Sequence, residues 1–213
     1  RHTQQKDDPD LILSAPFPIS KSSFWRKMRR DILGITGYQR RMEFFRMEMG
    51  NDPGRAKRWL NLWRAEKYFA LSNLAILLVC TAAGVWWAYF ALWLLPLLTW
   101  YQVISRIRNI AEHAVVGDNN DRLRNTRTTL TNWGMRMVLA PYWVNYHLEH
   151  HLFVFTPCWK LPAAHRMLIA QGFEPRMELT HGYRQVLRKA ISNPHDDPEH
   201  GTPADQRKRA ALI

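Results

Sequence analysis

The segment Tyr146-His147-Leu148-Glu149-His150-His151 holds three of the nine histidines in this 213-residue sequence. On a helix, His147, His150 and His151 stand at i, i+3 and i+4 and so share one face. Imidazoles converging there can bind a transition metal without help from distant residues. The alternative is a cluster of surface histidines, but three in five positions is far denser than the rest of the chain.

A second candidate is Arg108-Asn109-Ile110-Ala111-Glu112-His113, in which Asn109 and His113 lie four apart, on one helical face. The pair directly follows a long apolar run, where polar side chains are functional candidates by default. Taken alone, it reads equally well as an ordinary polar helix end. Glu112 and Glu149 each precede a histidine and could accept the second imidazole N–H; solvent-facing helix positions explain them equally well.

The apolar run must position these groups. Residues 69–105 are 37 consecutive positions without Asp, Glu, Lys, Arg or His. One membrane span needs about 20 residues, so the run predicts two short spans, at 68–85 and 87–105, with a turn from Gly84 to Trp87. Pro96 is expected to kink the second, which neighbouring helices can tolerate. Lys57, Arg58, Arg64 and Lys67 precede the run, and Arg106 and Arg108 follow it. Both ends therefore belong on the cytoplasmic side. Upstream, residues 21–67 mix Phe24, Trp25, Met28, Trp59, Leu60 and Trp63 with cations at helical spacing. This predicts amphipathic helices on a membrane surface, the alternative being helices packed on a soluble core.

Composition agrees. The chain has 30 Lys and Arg against 18 Asp and Glu, a formal charge of +12, which suits an anionic surface or an acidic partner. Ten Trp and nine Phe favour a membrane interface over nucleic acid. Nucleic-acid binding would also leave the apolar run unexplained and has no recognised motif. Cys80 and Cys158 are far apart and form neither a disulfide framework nor a zinc pattern. Residues 1–20 read as an extended connection, 106–190 as a cap bearing the histidine motifs, and 191–213 as a disordered tail. The polar opening at Arg1 carries no signal peptide and is expected to be cut from something longer.

Together these segments resemble the integral-membrane fatty acid desaturase and hydroxylase family. The resemblance runs from Asn109 through Asn125-Thr126-Arg127-Thr128-Thr129 to His147, His150 and His151, then Leu161-Pro162 and His165. It implies an all-α membrane protein with one transmembrane hairpin, interfacial amphipathic helices and a cytosolic helical cap. It implies His113, His147, His150 and His151 as iron ligands, with Asn109 acting through a water. Glu112, Glu149 and His165 would support them from behind. Two non-haem Fe2+ ions and O2 are the implied cofactor and co-substrate, because cleaving an unactivated C–H bond is beyond side-chain acids and bases. An acyl lipid or fatty acyl substrate, surrounding membrane lipid and a separate donor of the ferredoxin or cytochrome b5 type are the implied partners. The activity implied is insertion of a double bond, with hydroxylation or ketone formation the alternative.

The stretch from Arg1 to Asp10 resembles the sequence just after the family's second histidine box, so that box and the first would lie upstream. His2 would be a non-ligand, His195 and His200 solvated, and His181 outside any motif. On this reading four histidines are too few for two irons, and residues 1–213 alone would be inactive.

Overall fold

The computed structural model describes residues 17–118 and 121–191. Residues 1–16 of the expected connection at 1–20, residues 192–213 of the expected tail at 191–213, and His2, His195 and His200 lie outside the described residues. The chain is mostly helical and divides into two compact units, residues 26–103 and residues 104–213 together with 1–25.

Helix α1, Lys21–Ile32, begins where the Ser20 hydroxyl accepts a hydrogen bond from the Ser23 backbone N–H, 3.3 Å away, the usual satisfaction of a helix's first free donors. It buries Phe24 and Met28, one turn apart. Gly34, in the left-handed region at φ 74°, separates it from α2, Ile35–Met49.

Helix α3, Arg55–Ala82, and helix α4, Tyr89–His113, are both long and apolar enough to cross a membrane. None of the apolar window of α3 is buried, and Val79 and Leu92 are 69% and 71% exposed. A helix apolar on all sides finds no favourable surroundings in water, so these surfaces fit hydrocarbon. Gly84 turns the chain between the two helices at φ 73°, inside the expected turn.

Both helices outrun the predicted spans. α3 begins at Arg55, which makes the basic stretch before residue 68 part of the same helix rather than a separate surface element. α4 continues past residue 105 to His113, so Asn109 and His113 are helical residues of its last part. Helical hydrogen bonding does not stop where hydropathy changes, and no Pro or Gly intervenes at either junction.

Pro96 has a visible effect. The turn preceding it, Tyr89–Leu94, is widened into a π-helix, a usual response to a lost backbone donor. Asn73 of α3 accepts hydrogen bonds from the Tyr89 hydroxyl and Trp93 Nε1, each at 3.0 Å. Such polar contacts fasten apolar helices to each other where hydrophobicity cannot. Arg41 of α2 pairs with Glu66 of α3 and lies 4.3 Å from the ring centres of Phe45 and Phe69.

The second unit holds a short element absent from the all-α expectation. Strands β1, Thr128–Leu130, and β2, Leu179–His181, pair in parallel, with Thr129 opposite Thr180. Three-residue strands are too short for alternation to show in sequence. Helices α5 (Trp133–Leu139), α6 (His147–Leu152), α7 (Leu161–Ala170) and α8 (Tyr183–Ala190) complete this unit. Leu123, Leu148, Leu168 and Met177 form an apolar core under α6 and α7.

A Cβ on Gly37 would come within 2.3 Å of the Leu98 carbonyl oxygen, so α2 lies backbone to backbone against the irregular part of α4. Gly37→Ala should therefore cost about 1–3 kcal/mol, read as a lower unfolding temperature in detergent. An unchanged midpoint would show that α2 does not rest on Leu98.

Candidate metal centre

His113 is the last residue of α4 and His147 the first of α6. The structure brings both together with His151, and the candidate ligand atoms of the three lie within 4.8 Å of one another. Nε2 of His147 stands 3.0 Å from Nε2 of His113 and 2.9 Å from Nε2 of His151. The His113 and His147 rings meet edge to face, with centroids 4.7 Å apart. His150 lies beside the triad, its ring centre 5.8 Å from those of both His147 and His151. The one-face expectation thus brings two box histidines onto a common point with His113 and leaves the third adjacent.

Three imidazole nitrogens this close pose an electrostatic problem. His147 Nε2 can donate one proton or present one lone pair, but it faces two other ring nitrogens. A cation at their centre resolves the conflict, because every lone pair then points at positive charge. The spacing suits this: two nitrogens bound side by side to one first-row ion at about 2.1 Å stand about 3 Å apart. Burial holds the His147 imidazole well below its usual pKa, and His113, His151, His150 and Arg108 push in the same direction. His147 therefore stays neutral and keeps its lone pair for a cation. The residues present fit a metal ion.

Asn109 is buried one turn before His113, and its Oδ1 has no hydrogen-bond partner among the described residues. An orphaned buried oxygen costs free energy unless an absent water or ion satisfies it. Glu112 Oε2 lies 3.9 Å from His147 Nδ1, and Glu112 also pairs with Arg108 at 3.5 Å. The approach to His147 is an ion-pair distance rather than a hydrogen bond, and His147 Nδ1 has no hydrogen-bond partner among the described residues.

Glu149 is placed differently. Fully buried, it accepts from the Thr128 hydroxyl and stands 2.6 Å from Nδ1 of His165. Its described partners are thus Thr128 and His165 rather than a box histidine. A buried carboxylate needs such partners to be tolerated. His165 in turn packs against the Tyr146 ring, 5.3 Å between centroids. His181 is exposed on β2, outside the cluster. Thr128 and Glu178 carried no role in the sequence reading. Neither a buried threonine nor a long-range ion pair leaves a periodic signature.

The family model described as fatty acid desaturase matches residues 1–183. Dihydrorhizobitoxine desaturase of Bradyrhizobium elkanii is 32% identical over 104 residues, which cover 48% of this chain and 30% of that protein. The match therefore spans less than a third of that relative's length. No solved structure matches the chain.

Removing a central ligand tests the cluster. His147→Ala should weaken Co2+ binding by the purified protein more than about tenfold, whereas His181→Ala should leave it unchanged. Equal binding by wild type and His147→Ala would exclude the triad as a metal site.

Proposed function

The chain belongs to the fatty acid desaturase family, and from that premise we propose that it is an O2-dependent desaturase acting on an acyl lipid or fatty acyl substrate. The family is one of membrane-associated oxidoreductases that generally use iron and act on lipids with a redox partner. The finer assignments are ours. His113, His147, His150 and His151 supply imidazoles to a non-haem diiron centre, with Asn109 beside them holding a water. Glu112 orients His147, and Glu149 with His165 supports α6 from behind.

The convergence of three Nε2 atoms from two separate chain segments carries this reading. When bound, iron supplies the O2 chemistry needed to break unactivated C–H bonds. The balance requires four electrons to reduce O2 to two waters: two come from the C–H bonds that become the double bond, and two from a separate donor. This chain's own residues keep the site buried and neutral at His147, present the lone pairs, and hold His113 at the end of an apolar helix. That helix fits an α3–α4 hairpin whose two ends face the cytoplasm. Arg64, Lys67, Arg106 and Arg108 beyond the apolar stretch support that orientation. The charge of +12 suits both anionic headgroups and an acidic donor protein of the ferredoxin or cytochrome b5 type.

Hydroxylation or ketone formation is the alternative outcome at the same ligands, since substrate placement rather than ligand type separates them. One relative is named for dihydrorhizobitoxine rather than for a fatty acid, which favours a small-molecule substrate as a further reading. Mass spectrometry of lipids and small metabolites from a host expressing the gene decides among these. New unsaturation in acyl chains, absent from the His147→Ala control, is the expected result. An added hydroxyl or keto oxygen would overturn desaturation, and an unchanged lipid profile with a new unsaturated metabolite would overturn the lipid assignment.

A further inference from the structure

Two histidine-bearing helices far apart in sequence must be held in register, and residues 127–129 touch both. Arg127 is 1% exposed. Its Nη1 donates to the carbonyl oxygens of Ala111 and Ala114, at 3.3 and 3.0 Å, and its Nη2 to Val115. Nε and Nη2 both reach Glu178 Oε1, at 3.3 and 3.2 Å. The Arg127 backbone N–H donates to the Glu112 carbonyl at 3.0 Å. Four contacts from one residue thus gather the carbonyls around the end of α4 on either side of His113. These are the groups that a helix end leaves without internal partners.

The helix end needs such help. Val115 sits at φ 52°, a left-handed conformation that a β-branched residue rarely adopts and that glycine usually supplies after a helix. Burial lowers the pKa of Arg127, opposed by the Glu178 carboxylate. A guanidinium with no exposed surface is costly unless all its donors are used. Thr128 reaches the other element. Its hydroxyl donates to Glu149 of α6, and its backbone bridges to Tyr146 just before the box. Thr129 N–H donates to the Asn145 carbonyl at 2.9 Å, and Asn145 Nδ2 donates back to the Thr129 carbonyl at 3.2 Å.

We propose that Arg127 and Thr128 are positioning residues of the metal centre, Arg127 fixing His113 through the end of α4 and Thr128 fixing the α6 imidazoles through Glu149. The proposal rests on the metal reading above. Adjacent residues of an extended segment point to opposite sides, so one short strap can grip two helices at once. Lysine cannot replace Arg127, because a point charge cannot serve several carbonyls and a carboxylate in one plane.

The test measures the Co2+ dissociation constant of the complete protein in detergent by chelator competition, together with its unfolding temperature. Arg127→Lys and Thr128→Val should each weaken Co2+ binding about 10- to 100-fold. Thr128→Ser, which keeps the hydroxyl, should restore it. Adding Val115→Gly to Arg127→Lys should recover part of the affinity, because glycine accepts the left-handed turn without the guanidinium. Wild-type affinity in folded Arg127→Lys and Thr128→Val would overturn the proposal, leaving a stability role only. No recovery with Val115→Gly would overturn the Arg127 half. A wild-type protein that binds no Co2+ would instead overturn the metal reading itself.

Discussion

Buried polar groups must find partners, and in this chain that requirement organises the candidate centre. Glu149 and Arg127 are both sealed from solvent, one a carboxylate and the other a guanidinium. Neither could stay charged there alone. The two are linked through adjacent residues: Glu149 is satisfied by Thr128 and His165, and Arg127, next to Thr128, by Glu178 and the carbonyls ending α4. Satisfying one places α6, and satisfying the other places the end of α4. The three imidazoles meet because the polar groups behind them are committed.

The electrostatics follow from that enclosure. In open water nothing would hold three imidazoles about 3 Å apart. Here burial and mutual repulsion keep His147 neutral, and Glu112 stands on the far side of its ring. The result is a pocket of lone pairs whose natural complement is a cation. Asn109 adds an oxygen that nothing described satisfies. Membership of a family of iron-using oxidoreductases gives that cation a chemical purpose.

Much of this was legible in the sequence because it repeats at fixed spacing. The box from His147 to His151, the Asn109–His113 pair and the charge-free run all announce themselves through helical or compositional pattern. Helix limits were not legible, since Arg55 and His113 end helices through turn chemistry and hydrogen bonding rather than hydropathy. The parallel pairing of β1 with β2 joins residues about 50 positions apart through strands too short to alternate. The partners of Glu149 were not legible either. Nothing in its local spacing distinguishes a carboxylate behind a box imidazole from one bound to Thr128 and His165. The motif around Arg127 was visible as a resemblance, while its physical task appears only when its guanidinium is seen to reach the carbonyls at the end of α4.

The central claim is that the histidines of α4 and α6 converge on a shared metal. X-ray absorption at the iron edge of the complete, purified and iron-loaded protein examines it most directly. The account predicts a first shell dominated by nitrogen, with the outer-shell scattering of imidazole rings, which His147→Ala diminishes. A shell of oxygen or sulfur without imidazole scattering, or iron that washes away equally from wild type and variant, would contradict it.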